Sequence, residues 1–408
     1  MPTTTQPFAA AQAAWRFYDN PAIELAVLAE PLVEAAKAGV RETCQDWILI
    51  VLDWCLLHYK HHDSKADRIE LANKADLGYK LLTALAVSDT TGKPLAPVCL
   101  ELEAKDGIHT SRSTQPLPAP SVLDGLGPVL AHVERLQLGR TAVYIIDREA
   151  DSVQHHRAWS KAGRYFVVRA NGAPHVVYAG CTQRLGEVAP AVPLRKTRQV
   201  DYKGVPATQY VGETQVRVER PARTNRVVNG KKKHKNIPGA PITLRLIVSE
   251  VRDAEGKVLA LRLLLTNLPG TVLAATIALW YYWRWKIESY HKLLKQAGQH
   301  VECWLQDDAR KLSRRLAVVA MAAVLVWQLA RDERPEANEM RQVLVRLSGR
   351  QMKRGRGHPG FTAPALLAGL GILLPMLHLL ETHSPAELKR LACLVAPGAW
   401  LLPATESG

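Results

Sequence analysis

Two short apolar runs of β type, Trp47 to Leu52 (WILIVL) and Thr141 to Ile146 (TAVYII), each run directly into an aspartate, Asp53 and Asp147. Runs of this length, rich in Ile, Val and Leu, read as buried strands. Each strand is then tipped by a carboxylate, and that pairing limits the folds available more than any other feature of the chain. Between them, Tyr79 to Val87 and Pro97 to Glu103 flank the turn-like Asp89-Thr90-Thr91-Gly92 and read as a hairpin. A Pro-rich loop (Gln115 to Pro120) then leads to an amphipathic helix from about Ser121 to Leu136.

The resulting order, β-β-β-α-β, matches a ribonuclease-H-like core, in which the first and fourth strands lie side by side and present acids at a shared edge. The expected fold is therefore α/β: a ribonuclease-H-like catalytic core (β-β-β-α-β-α) with a β-rich insertion before the last catalytic helix, flanked by helical N- and C-terminal regions. Residues 1–46 are the N-terminal helical region, with helical spacing from about Pro21 to Asp46, and 47–165 the first part of the core. Residues 166–268 form the insertion, built of runs such as YFVVRA, HVVYAG and ITLRLIVSE. The catalytic helix and the end of the core fall in 269–334. A basic, Gly-rich linker (Gly349 to Gly360) leads into the C-terminal helical region, 335–408, a candidate for dimerisation.

With 53 Lys and Arg against 38 Asp and Glu, the formal charge is +15, which favours a polyanionic partner through counterion release and long-range steering. Basic residues are densest around an Asn-Gly turn, in Arg220, Arg223, Arg226, Lys231, Lys232, Lys233 and Lys235. They are read equally well as a solvated loop or as DNA contacts. Six scattered cysteines without a C-x-x-C pair argue against a zinc knuckle or a disulfide framework, and fit a reducing cytosol. No basic start followed by an apolar stretch marks a secretion signal, so the chain is expected to stay inside the cell, in the cytoplasm. The apolar stretches Leu316 to Trp327 and Leu366 to Leu380 are shorter than the roughly 20 residues that cross a bilayer, and read as buried core helices with no membrane role.

Within a strong helical pattern lies Tyr281-Tyr-Trp-Arg-Trp-Lys-Ile-Glu-Ser-Tyr-His-Lys-Leu-Leu-Lys295. At about 100° per residue, Tyr281, Arg284, Glu288 and Lys295 share an arc of roughly 60°. A helix needs only an apolar stripe to pack, so a stripe of such mixed chemistry is solvated, internally paired or functional. Taken alone, Arg284 and Glu288 read as an i,i+4 ion pair.

Tyr-x2-Arg-x3-Glu-x6-Lys, filled by Tyr281, Arg284, Glu288 and Lys295, resembles the signature of the insertion sequence four family of Asp-Asp-Glu transposases, which includes the transposon-five enzyme. Asp147-Arg-Glu-Ala-Asp151 after an apolar strand resembles the family's second catalytic motif, with Asp147 rather than Asp151 as the ligand. Phe166-Val-Val-Arg169 follows at the family's spacing. Trp15-Arg-Phe-Tyr-Asp-Asn-Pro21 is similar to the segment ahead of the first catalytic strand, so the likeness spans roughly Trp15 to Glu333.

The resemblance implies that Asp53, Asp147 and Glu288 are catalytic and hold two Mg²⁺ ions, with Mn²⁺ able to substitute. One ion generates the nucleophile and the other stabilises the leaving oxygen. It implies double-stranded DNA partners, both transposon terminal repeats and target. It further implies cut-and-paste strand cleavage and transfer through a hairpin intermediate, and a homodimer in the synaptic complex. Tyr281, Arg284, Lys295 and Arg169 would bind DNA phosphates, the arginines as forks and the lysine as a point charge.

The chain departs from the family in three places. Asp53 is followed by Trp54 and Cys55 in place of a small hydroxyl residue, with Asp63 and Asp76 as fallback ligands. Arg262 stands ahead of Leu263-Leu-Leu-Thr266 where a base-stacking tryptophan is found in the transposon-five enzyme, and joins Arg220, Arg223 and Lys231 to Lys233 as a candidate DNA contact. Trp280, Trp283 and Trp285 are nearby, although aromatics in a helix are more often core than base platforms. The likeness begins only at Trp15, which suggests a shortened end-recognition region. The alternative reading is therefore a catalytically silent, DNA-binding or dimerising regulator of transposition. A second rival is another ribonuclease-H-like nuclease such as a resolvase, against which the Tyr-Arg-Glu-Lys spacing and the β insertion weigh.

Overall fold

The computed structural model describes residues 7–119, 121, 123–228, 231–296, 299–350 and 360–395, with the side chains of 7–10, 223–235 and 392–395 outside the description. Two helices, α1 (Pro7–Asp19) and α2 (Leu25–Thr43), lead into β1 (Trp47–His58), the short β2 (Ile69–Glu70), β3 (Leu77–Ser88), β4 (Pro94–Ala104) and β5 (Gly107–Thr110). Then come α3 (Leu126–Arg135), β6 (Thr141–Ile146), α4 (Val153–Lys161) and β7 (Tyr165–Arg169).

The middle of the chain is mostly strand: β8 (His175–Tyr178), β9 (Cys181–Arg184), a one-turn α5 (Leu185–Val188), β10 (Arg195–Tyr202), β11 (Val205–Val218), β12 (Ala222–Val228), β13 (Lys231–Ile237), β14 (Ile242–Arg252) and β15 (Val258–Thr266). Helices finish it: α6 (Ala274–Trp283), α7 (Trp285–Gln296), α8 (Ala309–Arg331), α9 (Pro335–Leu347), α10 (Ala363–Thr382) and α11 (Pro385–Val395).

Most strands join one mixed sheet in the order β5-β4-β3-β1-β6-β7-β15-β14-β11-β8-β9. At its centre β1 runs antiparallel to β3 and parallel to β6, and β6 runs parallel to β7. Ile48 to Leu52 are wholly buried, as a strand covered on both faces requires. The β-rich middle does not fold back as a separate layer, because β15 pairs with β7 and extends the same sheet. Only β12 and β13 stand apart, as a two-stranded ribbon.

Three expectations about elements need correction. β1 does not stop at Asp53 but continues to His58, because β3 offers backbone partners from Asp53↔Thr83 through to His58↔Gly78. Its length follows its neighbour rather than its apolar run. The helix expected from about Ser121 begins only at Leu126.

The two apolar stretches lie in helices of 23 and 20 residues, both long and apolar enough by length and composition to cross a membrane. Buried Leu312, Leu316, Val324 and Trp327 place α8 in the core. α10 is not the buried helix expected: Leu366 and Leu367 pack inward, while Leu374, Met376, Leu377 and Leu380 are exposed. Most of the linker from Gly349 to Gly360 lies outside the described residues.

The turn at Asp89 to Gly92 braces the sheet against α6. The Asp89 carboxylate accepts from the amides of Gln45, Asp46 and Trp47, and its carbonyl accepts from the Trp280 indole at 2.9 Å. Gly92, at φ +64°, is required twice over: the left-handed conformation favours glycine, and a Cβ there would lie 2.3 Å from the Trp283 ring.

Candidate active site

Adjacent parallel strands deliver the two aspartates to the same level. Leu52 pairs with Ile146, so Asp53 and Asp147 are the next residues on β1 and β6. Asp53 is held inside β1, its Oδ1 accepting from the Trp54 amide at 2.9 Å. Asp147 leaves β6 and caps a 3-10 turn, accepting from the Arg148 amide at 2.7 Å.

The helical segment from Tyr281 to Lys295 is not one helix. It divides at Arg284, where i,i+3 bonds (Arg284 N–H to the Tyr281 carbonyl, 3.2 Å; Ile287 N–H to the Arg284 carbonyl, 3.1 Å) replace the regular ladder between α6 and α7. Glu288 lies in the first turn of α7.

Around Arg284 the three carboxylates converge. Its Nη1 lies 3.1 Å from Asp53 Oδ2, and its Nη2 lies 3.3 Å from Asp147 Oδ2 and 2.7 Å from Glu288 Oε1. Arg284 is only 6% exposed. The i,i+4 pair expected from sequence is thus one side of a three-carboxylate cluster. Tyr281, also buried, donates its hydroxyl to Asp147 Oδ1 at 3.0 Å, and Arg169 Nη1 stands 3.7 Å from the same oxygen.

Three carboxylates against Arg284 and Arg169 leave the cluster short of positive charge, and the acids respond differently. Burial pushes Asp53 up to about 6 despite the lowering by Arg284, with Glu288 and Asp147 adding to the rise. Burial also pushes Asp147 up, but Arg284, the Arg148 amide, the Tyr281 hydroxyl and Arg169 together hold it below the usual carboxylate range. Burial opposes the charge on Arg284, yet Tyr281, Asp147, Asp53 and Glu288 together raise it.

Carboxylate oxygens are the donors that hard divalent cations prefer. With the guanidinium between them, no group of three or more His, Cys, Asp or Glu stands at metal-ligand spacing among the described residues.

Other sequence-derived candidates lie elsewhere or are differently engaged. Tyr281 and Arg284, expected on phosphates, are bound to carboxylates. Lys295 is turned to the far end of β1, donating to the Leu56 carbonyl at 2.6 Å and pairing with Glu302 at 3.0 Å. Arg169 is partly exposed beside Asp147, in reach of an incoming group. The fallback acids are off the site: Asp63 is exposed near Arg68, and Asp76 pairs with His58 at 2.8 Å. Trp280 and Trp283 pack on the Asp89–Gly92 turn, and Trp285 is exposed.

Arg262 has no carboxylate partner among the described residues, and Arg220 lies beside Asp151 and His156. Arg223, Lys231, Lys232 and Lys233 have their backbone in the β12–β13 ribbon, with side chains outside the described residues. Sequence reasoning missed Glu302, which accepts from the His58 amide at 2.9 Å and ties β1 to the end of α7. No local pattern marks its tie to β1, since His58 is 244 residues away in sequence.

No protein-family model matches the chain, and no curated protein matches it. Among solved structures it is similar to a chain in the cryo-EM structure of a piggyBac transposase synaptic complex with hairpin DNA, at 11% identity and a TM-score of 0.28, covering 75% of this chain and 62% of that one. A likeness of this size carries no argument about fold or activity.

Proposed function

We propose that the chain is a DNA transposase of the insertion sequence four type, which binds transposon ends and cuts and rejoins phosphodiester bonds with Asp53, Asp147 and Glu288. The observation that carries this reading is the meeting of three carboxylates, from β1, from the end of β6 and from α7, on one buried guanidinium. A helix carrying the third acid to the edge of two adjacent parallel strands is what a nuclease of the ribonuclease-H-like class requires. The strand order β4-β3-β1-β6-β7, antiparallel through β3 and parallel from β1 to β7, supports assigning that core.

The donor set and its shortage of positive charge fit a divalent cation, and Asp53, Asp147 and Glu288 would hold two Mg²⁺ ions. Bound there, Mg²⁺ would supply an activated water and stabilise the leaving oxygen of an in-line displacement. The protein's own groups do the positioning. Arg284 gathers the three acids, the Tyr281 hydroxyl and Arg148 amide orient Asp147, and partly exposed Arg169 is placed to fork onto a phosphate next to it. Hairpin formation, strand transfer to target DNA and a dimer joining two ends belong to the same reading.

The test is cleavage of a labelled duplex carrying the element's own terminal repeat in Mg²⁺, with binding followed in parallel. Nicking at the repeat boundary by the wild type, lost in Glu288→Ala with binding retained, is the expected result. Binding without cleavage by the wild type would reject the enzyme reading in favour of a silent regulator.

A further inference from the structure

Strand register places a row of polar side chains on the face of the sheet that carries Asp147. Arg169 pairs with Leu264, so Arg262, two residues earlier on β15, shares its face. Ser249 lies opposite Arg262, and Gln209 and Arg198 continue the row on β11 and β10. At about 5 Å per strand, Arg262 is one step and Arg198 four steps from Arg169.

The row is linked inside the sheet. Arg198 Nε donates to Gln209 Oε1 at 2.6 Å, and Gln209 Nε2 donates to Ser249 Oγ at 2.8 Å. The Arg198 guanidinium lies over the Tyr282 ring, 4.7 Å from its centroid, and Tyr282 adjoins the Tyr281 that orients Asp147. Arg198 Nη2 is buried without a hydrogen-bond partner. Neither Arg198 nor Arg262 has a carboxylate partner among the described residues, and burial, with a smaller contribution from Arg262, lowers Arg198 from its usual value. Two partly buried arginines, one of them braced by a neutral amide and an aromatic ring, with no acid between them in the row, form a site for an anion with several acceptor oxygens.

We propose that Arg262 and Arg198, the latter braced by Gln209 and Tyr282, form a phosphate-binding subsite for the DNA backbone on the β-rich half of the sheet, beside the cluster of acids. This rests on the reading that the partner is DNA. Arg169, Arg262 and Arg198 then form a track that holds the strand leading away from the scissile phosphate.

Anisotropy of a fluorescein-labelled duplex, titrated with salt in EDTA so that no cleavage occurs, tests the subsite. Each lost phosphate contact lowers the slope of log K against log salt by about 0.9. Arg262→Gln, which removes no described hydrogen bond, is expected to lower it by that amount, and Arg198→Gln/Arg262→Gln by about twice that. Arg262→Glu sharpens the test, because it reverses the charge at the same position and should weaken DNA binding further, with the melting temperature measured alongside to confirm folding. Wild-type slope and affinity in the double variant would overturn the subsite alone. Absence of salt-dependent DNA binding by the wild type would overturn the transposase reading with it.

Discussion

Arg284→Ala removes the one buried cation that three carboxylates share. Deleting one partner of a buried ion pair costs about 3–5 kcal/mol. With Arg284 6% exposed and ion pairs at 2.7, 3.1 and 3.3 Å, the upper part of that range applies. An unfolding entropy of about 2.1 cal/mol/K per residue makes each kcal/mol worth about 1 °C in a 408-residue chain melting as one unit, so the expected drop is about 4–6 °C. Magnesium should compensate, because the acids left without a counter-charge gain one from the ion. At a hundred times Kd, ligand binding restores about 2.7 kcal/mol. Differential scanning calorimetry in EDTA and over a MgCl₂ series measures both effects, with a larger Mg²⁺-induced rise in the variant than in the wild type. An unchanged melting temperature in EDTA would refute the cluster's energetic role, and equal Mg²⁺ shifts in the two proteins would refute the idea that guanidinium and metal answer the same charge.

Three further outcomes follow from the structure. His156, buried and stacked on Phe166 at 5.1 Å, is pushed down to about 3, mainly by burial and then by Arg220. The unfolded chain takes up its proton near pH 6.5 and the folded chain only near 3, so stability present above 6.5 is lost as pH falls through that window, by roughly 4–5 kcal/mol in all. Urea melts at pH 7 and pH 4 should show a smaller difference for His156→Phe than for the wild type, and equal differences would contradict the assignment. Gly92→Ala, forced into a positive φ and against Trp283, should cost about 1–3 kcal/mol in the same melts, and a neutral result would mean that the turn does not brace α6. Tyr281→Phe removes the donor at 3.0 Å from Asp147 and should destabilise by about 1.5–3 kcal/mol, as loss of a hydrogen bond to a charged group does, with no change expected if Asp147 is satisfied by its other partners.

How much was legible in the sequence differs between the fold and the site. The apolar runs of β1 and β6, the β3–β4 hairpin and the helical C-terminal third could be read because each carries its own period. The length of β1 could not, since it depends on how far β3 accompanies it. The exposure of α10 was hidden for a related reason: Leu374, Met376 and Leu377 look like core until the surrounding elements are placed. Asp53 and Asp147 could be read at strand ends and Tyr281, Arg284 and Glu288 from helix spacing, while only the family resemblance joined the two sets, and they do meet. That Arg284 gathers the acids rather than facing outward, and that Lys295 turns to Leu56 and Glu302, depend on a tight turn and a distant partner that no spacing reveals. Arg198 escaped notice because its meaning comes from register across five strands.

The central claim is that three carboxylates act as one catalytic unit on DNA. Single-turnover cleavage of the terminal-repeat duplex by Asp53→Asn, Asp147→Asn and Glu288→Gln, each with DNA binding and melting temperature measured alongside, tests it most directly. The account predicts that every one of the three abolishes strand cleavage while DNA is still bound. Cleavage at a rate near the wild type's in any one of them would contradict it.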